Sequence, residues 1–441
     1  MTSNDDEIYF IPYTHSQSQK LIYAPARGYV GLTSIEKLDE SGECRKLIEE
    51  LEEVSLKDMD IMQRGLPSLN IDLSNGCNMH CIYCYAGRGE GNVSFQSKDK
   101  IKQIIDIYFK HLDELPAQED RTCSIAFTND AEPTYAGELL KYTVKAIRTK
   151  AEALGFKPVF SMPTNGAFSR DMRDFIIEYF SEISCSFDGL PFVQNKHRPL
   201  TDGSPSFELV YENVKALYAS RLKLGFNVVI TSYNLNYMRE TVDFFAEHFP
   251  GSSISFSPVH LTGRALREQN KLLIDQQTFD DQLMATLNYA KQTSIKVYTK
   301  HGRQNLIPRR HYCSSTAKPN WNVSLSGEIF ACMEDKHARM KIGQIDFEQG
   351  QLKLDFERIK SLQEMTVDKN SKCSACFAKY LCAGGCVIRA VENEEETCSA
   401  IRQRCVYFIN EAYEERNILS VGRRLFKIDA NDQSKEVIKN E

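Results

Sequence analysis

Three cysteines within eight residues, Cys77-Asn-Met-His-Cys81-Ile-Tyr-Cys84, are the side chains of this chain best suited to chemistry. They follow Leu69-Asn-Ile-Asp-Leu73, which reads as a short buried strand, so the thiols fall on a loop at a strand end. A cubane iron–sulfur cluster takes four cysteines, one per iron. Three thiols leave one iron open, and an open position separates a catalytic metal site from a structural one. A zinc knuckle would instead need a fourth ligand close by, for which His80 is the candidate. A second group follows downstream: Cys313, Cys332, Cys373, Cys376, Cys382, Cys386, Cys398 and Cys405. Only Cys44, Cys123 and Cys185 of the 14 cysteines lie outside the two groups, and they read as small buried apolar residues.

The elements that must position these thiols alternate in type. Strands are expected at Leu69–Leu73, Ser124–Thr128, Val159–Met162, Ile183–Phe187, Gly225–Ile230 and Ser253–Ser257. Helices are expected between and after them, over Lys98–Leu112, Gly137–Leu154, Arg170–Phe180, Phe207–Ala219, Met238–His248 and Gln277–Thr293. Strands each followed by a helix imply a parallel sheet with right-handed crossovers. Eight such units close a barrel; six leave it open, with a mouth wide enough for a polypeptide. Active residues belong at the carboxyl ends of the strands, where the first cysteine group lies.

Composition excludes several classes. The apolar fraction of 42% is that of a globular protein, and 441 residues suffice for two or three domains. A net charge of −6 argues against nucleic acid as the main partner. No run of 18 apolar residues occurs, so no membrane span is expected. The acidic start, Met-Thr-Ser-Asn-Asp-Asp-Glu, is unlike a signal peptide. The expected location is cytoplasmic, where clustered cysteines bind metal more often than they form disulfides.

The spacing of Cys77, Cys81 and Cys84, with the aromatic Tyr83 before the last, resembles that of radical S-adenosylmethionine (radical SAM) enzymes. Loops after later strands carry matching signals. Asn129-Asp-Ala-Glu-Pro-Thr134 stands where the family has Gly-Gly-Glu-Pro, whose backbone holds the amino group of S-adenosylmethionine; here Asp130 and Ala131 replace the glycines, and Glu132 and Pro133 remain. Thr164-Asn165-Gly166 and Ser186-Phe-Asp188-Gly189 follow. Arg198 stands where the peptide-modifying branch has an arginine that pairs with the cofactor carboxylate, a role suited to a guanidinium. By this resemblance Tyr83, Asp130, Ala131, Glu132, Asn165, Ser186, Asp188 and Arg198 are the cofactor-binding candidates.

The second cysteine group resembles a SPASM domain, the extension that carries two auxiliary iron–sulfur clusters in peptide-modifying radical SAM enzymes. Trp321-Asn-Val-Ser-Leu325 and Gly327-Glu-Ile-Phe-Ala-Cys332 read as a hairpin turning at Ser326-Gly327. By analogy Cys313, Cys332 and Cys386 hold one auxiliary cluster, and Cys373, Cys376 and Cys382 the other. The latter needs a fourth thiol from Cys398 or Cys405. Thr397 as helix N-cap would put Cys398 in the first turn and favour it as thiolate; Cys405, with Ile401, Phe408 and Ala412 at helical spacing, reads as core.

The resemblance implies an α/β fold: a partial (β/α)6 radical SAM barrel over residues 67–300, a small N-terminal α+β lobe over 1–66, and a cysteine-rich SPASM domain over 301–412. The lobe would consist of strands in Ile8–Tyr13 and Lys20–Tyr23 and a helix over Arg45–Val54, serving as a cap or as a leader-peptide edge strand. Residues 413–441 are expected as a frayed tail. The implied cofactors are three 4Fe–4S cubanes and S-adenosylmethionine. Reductive cleavage of the latter would give a 5′-deoxyadenosyl radical that abstracts hydrogen from a precursor peptide or protein, forming a thioether or carbon–carbon cross-link. The electron would come from a donor such as flavodoxin or ferredoxin. The alternatives are a small-molecule substrate and the oxidation of Cys or Ser to formylglycine performed by anaerobic sulfatase-maturing enzymes. Those use an Asp beside an auxiliary-cluster cysteine as base; here Met333 follows Cys332, so Glu334 and Asp335 are the candidates.

Overall fold

The computed structural model describes residues 8–25, 29–34, 65–116, 119–127, 130–220, 222–299, 308–318, 320–332, 334, 338–388, 394–414, 425–427 and 436–438. The chain divides into two compact units, one of residues 65–299 and 318–361, the other of 1–64, 300–317 and 362–441.

The second of these begins with an antiparallel sheet of β1 (Tyr9–Pro12), β2 (Gln19–Ala24) and β3 (Tyr29–Ser34), in that order. Sequence reading finds the first two strands and misses the third, where Gly31 weakens the strand signal. The expected helix over Arg45–Val54, and Cys44, lie outside the described residues.

The other unit is built on an eleven-stranded sheet. Its strands are β4 (Leu69–Ile71), β5 (Thr122–Ala126), β6 (Lys157–Thr164), β7 (Glu182–Ser186), β8 (Lys223–Ile230), β9 (Ser253–Pro258), β10 (Lys296–Tyr298), β11 (Trp321–Val323), β12 (Glu328–Phe330), β13 (Lys341–Asp346) and β14 (Gln351–Leu354). The spatial order is β10-β9-β8-β7-β6-β5-β4-β11-β12-β13-β14, an open sheet with β10 and β14 at its edges. Strands β4 to β10 pair in parallel throughout.

Helices α1 (Lys98–Glu114), α2 (Glu138–Ala153), α3 (Arg170–Tyr179), α4 (Pro191–His197), α5 (Phe207–Ala219), α6 (Met238–His248) and α7 (Gln276–Ala290) connect them. Helix α1 shows why. The Ser97 hydroxyl accepts from the Lys100 N–H and caps its start, and Ile101, Ile104, Ile105, Tyr108 and Leu112 recur on one buried face. Ser169 caps α3 and Asp275 caps α7 in the same way. Phe187, Phe226, Phe245 and Phe249 interlock between sheet and helices, with the Phe226 and Phe245 rings 4.6 Å apart.

Five sequence expectations are corrected here. The parallel series has a seventh member, β10, too short at three residues to stand out after a helix. Residues 318–361, assigned from sequence to the cysteine-rich domain, extend the barrel sheet instead. Strand β11 pairs in parallel with β4, Trp321 opposite Leu69 and Val323 opposite Ile71. A buried amide pair locks this register: Asn70 Nδ2 donates to Asn322 Oδ1 at 2.9 Å, and Asn322 Nδ2 donates to the Phe330 carbonyl at 2.8 Å. Trp321 is fully buried and meets Tyr108 edge-on at 5.6 Å. The expected hairpin turn holds, with Gly327 at φ +86° between β11 and β12.

Third, the N-terminal lobe is not a domain by itself. It shares its unit with helix α8 (Glu394–Glu414): the Thr14 N–H donates to Asn410 Oδ1 at 2.9 Å, and Asn410 Nδ2 donates to the Pro12 carbonyl at 3.0 Å. Helix α8 starts at Glu394, so Thr397 lies inside it and is not its N-cap. The tail expected to fray contains a short antiparallel pair, β15 (Leu425–Lys427) and β16 (Glu436–Ile438).

Candidate active site

Cys77, Cys81 and Cys84 sit on the loop leaving the carboxyl end of β4, as the strand pattern requires. That loop is stitched to the segment after α4. The His80 N–H donates to the Pro199 carbonyl at 2.8 Å, the Ile82 N–H to His197 at 3.0 Å, and the Thr201 N–H to Asn78 at 3.1 Å. On its other side the turn after β9 clamps it. Arg264 donates from its backbone N–H to the Cys84 carbonyl at 2.9 Å, from Nη1 to the Cys81 carbonyl at 2.6 Å and from Nη2 to the Arg88 carbonyl at 2.7 Å. The approach is so close that a Cβ on Gly263 would lie 2.1 Å from the Tyr85 carbonyl oxygen, and Gly263 has φ +55°. Glycine is the residue that fits.

The sulfurs are surrounded by donors. The Met79 N–H points at Cys77 Sγ at 3.4 Å, the Arg88 N–H at Cys84 Sγ at 3.3 Å, and Asn165 Nδ2 at Cys77 Sγ at 3.8 Å. Such bonds tune cluster thiolates. Burial pushes the Cys77 thiol up to about 12, aided by the Glu132 charge, and the Cys81 thiol to about 11. Thiols this reluctant to ionise give up their protons when a metal takes the sulfur. Among the described residues no group of His, Cys, Asp and Glu surrounds a single metal ion; a cubane instead spreads its ligands, one per iron. His80 is hydrogen-bonded to the Glu90 carboxylate. The donor set fits a three-cysteine cubane.

Glu132 joins three strand ends. Its backbone N–H donates to the Gly76 carbonyl at 3.0 Å. Its carboxylate accepts from the Thr134 N–H and hydroxyl at 3.1 and 2.7 Å, from the Thr164 hydroxyl at 2.8 Å and from the Asn165 N–H at 2.7 Å. Burial raises this carboxyl against the pull of those donors. Asn165 in turn reaches Asn78 Oδ1 at 2.8 Å. Asp130 holds Arg88 by a 3.3 Å ion pair and accepts from the Tyr85 hydroxyl at 3.5 Å. Neither Asp130 nor Ala131 has a positive φ, so replacing the family's glycines carries no left-handed strain. Asn129 lies outside the described residues.

Asp188, fully buried after β7, gathers four donors of the chain itself. Arg198 Nε donates to it at 2.9 Å and Nη2 at 3.4 Å, the Tyr83 hydroxyl at 3.2 Å, and the Val229 N–H at 3.2 Å, with His197 Nδ1 at 3.3 Å. Burial would raise its carboxyl, but Arg198 and His197 hold it down at about 2. Desolvation opposes the Arg198 charge and Asp188 outweighs it, so the guanidinium stays firmly protonated. Asp188 thus holds the Arg198 guanidinium in place. The Tyr83 ring lies 5.2 Å from the Arg198 guanidinium carbon. Ser186 ends β7, half-buried, beside this cluster.

Residues 71–245 match the Radical SAM superfamily. This segment is a radical SAM domain. The chain is also 22% identical over 347 residues to the cysteine-type anaerobic sulfatase-maturating enzyme of Clostridium perfringens (strain ATCC 13124), covering 75% of this chain and 91% of that one. It is 21% identical over 342 residues to the radical SAM cyclopropyl synthase TigE of Paramaledivibacter caminithermalis, covering 73% and 68%. The solved structure of native anSMEcpe with bound AdoMet aligns with a TM-score of 0.62 at 18% identity, covering 79% of this chain and 99% of that one. A form with AdoMet and Kp18Cys peptide aligns at 0.60 and 19%, covering 79% and 99%. The chain thus contains a radical SAM domain, is similar to sulfatase-maturating and cyclopropyl-synthase radical SAM proteins, and its sheet has the radical SAM fold.

The remaining candidates divide between the units. Cys332 belongs to the sheet unit; Cys313, Cys373, Cys376, Cys382, Cys386, Cys398 and Cys405 belong to the other. Within the latter, Cys373, Cys376 and Cys398 all raise the Cys382 thiol after burial, and Cys382 and Cys376 do the same to the buried Cys405. Ala383, Gly384 and Gly385 all have positive φ, curling the chain sharply between Cys382 and Cys386. Glu334 is exposed, and its charge reaches Tyr85, next to Cys84. Asp335 lies outside the described residues. Cys123 and Cys185 are buried, as expected of core residues. No described helix is long and apolar enough to cross a membrane.

Sequence reading missed Gly263, Arg264, Arg88 and Asn78. The available signal was position: Gly263-Arg264 follows the sixth strand, at the sheet edge where functional loops gather.

Proposed function

We propose that this radical SAM enzyme modifies a side chain of a ribosomally made peptide or a protein, forming a thioether or carbon–carbon cross-link. The observation that carries the reading is the convergence of Cys77, Cys81, Cys84, Glu132, Asn165 and the Arg198–Asp188 pair at the carboxyl ends of β4 to β7. Cys77, Cys81 and Cys84 would hold three irons of a cubane and leave the fourth for S-adenosylmethionine. When bound, the two together supply a radical able to abstract hydrogen. Asp188 uses two of the five N–H donors of Arg198; the others would meet the cofactor carboxylate. Glu132 would keep the loop of Asp130 and Ala131 in register with the cysteine loop. A peptide substrate is supported by the sulfatase-maturating relative and by the peptide named in the solved structure. The cysteine-rich segment, read as a SPASM domain, would hold further clusters, with Cys373, Cys376 and Cys382 joined by Cys398.

Formylglycine formation is the second reading. Glu334, with its charge felt at Tyr85, favours it as a base near the cysteine loop. The test is anaerobic reconstitution with iron and sulfide, then incubation with S-adenosylmethionine, dithionite and cysteine-containing peptides. Release of 5′-deoxyadenosine and a peptide lighter by two hydrogens supports cross-linking. Exchange of the thiol for an aldehyde supports the second reading. Absence of 5′-deoxyadenosine defeats both.

A further inference from the structure

Radical chemistry of this kind consumes electrons that must enter from outside, and the structure carries a surface suited to their delivery. Val93, Phe95 and Tyr135 are exposed apolar side chains, Phe95 at 54%. Phe95 and Tyr135 stack almost parallel, 6° apart in plane with centroids at 6.2 Å. Exposed apolar side chains grouped in this way mark interaction surfaces.

The patch is braced on the cysteine loop. The Asn75 N–H donates to the Ser94 carbonyl at 3.2 Å, the Gln96 N–H to Leu73 at 2.8 Å, and the Ser94 N–H to Asn75 Oδ1 at 2.7 Å. A Cβ on Gly76 would lie 2.4 Å from the Tyr135 ring and 2.9 Å from Val93. Gly76 directly precedes Cys77, so the patch lies one residue from a cluster ligand.

A basic rim borders it. Lys98 and Lys102 are exposed one turn apart on α1, Lys98 lies 5.0 Å from the Tyr142 ring on α2, and Lys145 is exposed one turn along from Tyr142. Asp99 and Glu138 are the acidic residues in the first turns of α1 and α2, against Lys98, Lys102 and Lys145. On a chain of net charge −6, such a rim is where an acidic partner could approach.

We propose that Val93, Phe95 and Tyr135, with the rim of Lys98, Lys102 and Lys145, form the docking surface for an acidic, flavin-carrying electron-transfer protein of the flavodoxin type. The exposed aromatic pair suits the planar edge of a flavin, and the lysines suit surrounding carboxylates. A small patch is in keeping with transient redox complexes, which bury little area. One electron passes at each encounter: the carrier is oxidised by one electron, the cubane is reduced by one, and no bond forms or breaks. This inference rests on the radical SAM reading of Cys77, Cys81 and Cys84.

The test compares Phe95→Ser and the double variant Lys98→Glu/Lys102→Glu with the unaltered enzyme under two reductants. With dithionite, all three should release 5′-deoxyadenosine at rates within about twofold, since the substituted side chains are exposed. With reduced flavodoxin below saturation, each variant should be slower by about tenfold or more, as loss of a central contact or of steering charge predicts. Binding gives a readout independent of activity. Oxidised flavodoxin should bind each variant about tenfold more weakly, and the charge-reversal variant should lose the salt dependence seen in the unaltered enzyme. Carbodiimide should cross-link Lys98 or Lys102 to the carrier. Unchanged flavodoxin-driven rates in both variants, or cross-links confined to other lysines, overturn the proposal. So does a loss seen with reduced ferredoxin and not with flavodoxin. Failure of the unaltered enzyme with dithionite overturns the radical SAM reading itself, and this inference with it.

Discussion

Replacing Asp188 with Asn should destabilise the sheet unit by about 3–5 kcal/mol, because it leaves the Arg198 guanidinium buried without its counter-charge. Arg198 is 5% exposed and Asp188 fully buried, so solvent screens neither. The depression of the Asp188 carboxyl from 3.8 to about 2 sets a scale of about 2 kcal/mol for the preference of this pocket for the anion. The larger figure for the variant adds the cost of the orphaned cation. Because the folded carboxyl titrates below the unfolded one, its contribution is fully present above pH 4 or so and is lost as pH falls towards 2. Trp321, the one tryptophan of the chain, is buried in the same unit, so its fluorescence during urea unfolding reports on this region. The midpoint should fall by roughly 1 M or more. Asp188→Asn/Arg198→Met should recover more than half of the loss, since removing both charges of a buried pair costs far less than removing one. Equal midpoints for Asp188→Asn and the unaltered protein, or a double variant no better than the single, would refute the reasoning.

Changing Cys77, Cys81 and Cys84 together to Ala should abolish 5′-deoxyadenosine release and remove about four irons, leaving the other clusters in place; continued cleavage would overturn the assignment. The reconstituted protein should hold about twelve irons, and Cys398→Ala should lose about four while Cys405→Ala keeps them all; iron analysis decides, and the reverse outcome would exchange the two cysteines. Gly263→Ala should cost more than about 1 kcal/mol by urea unfolding and disturb the electron paramagnetic resonance signal of the reduced cluster, because the new Cβ meets the Tyr85 carbonyl; an unaltered signal would mean the clamp is not needed. Ala383→Gly should raise the melting temperature, by the equivalent of about 1 kcal/mol, by relieving the left-handed conformation at φ 55°; no gain would mean the strain is absent.

Much of the site was legible locally. Cys77, Cys81 and Cys84 declare their chemistry by type and spacing, and the alternation of strand and helix puts them at a strand end. The caps at Ser97 and Ser169 and the buried stripe from Ile101 to Leu112 fix helix positions through contacts within a few residues, which a local reading captures. Glu132, Asn165 and Arg198 could be singled out by their place after successive strands.

Their roles could not be read so far. That Arg264 reaches three carbonyls of the cysteine loop depends on segments distant in sequence meeting in space. The same holds for the sheet. Parallel pairing of β11 with β4 joins residues about 250 positions apart, and the signal that secures it is a buried pair of asparagines, Asn70 and Asn322, whose polarity alone would argue against a central strand. The sequence by itself determined which faces are buried and where the thiols gather, because periodicity and side-chain chemistry are local properties. Only the tertiary structure decided which strand ends converge and which charges are paired. Buried hydrogen-bonding groups must find partners wherever the fold brings them, and no local pattern records that choice.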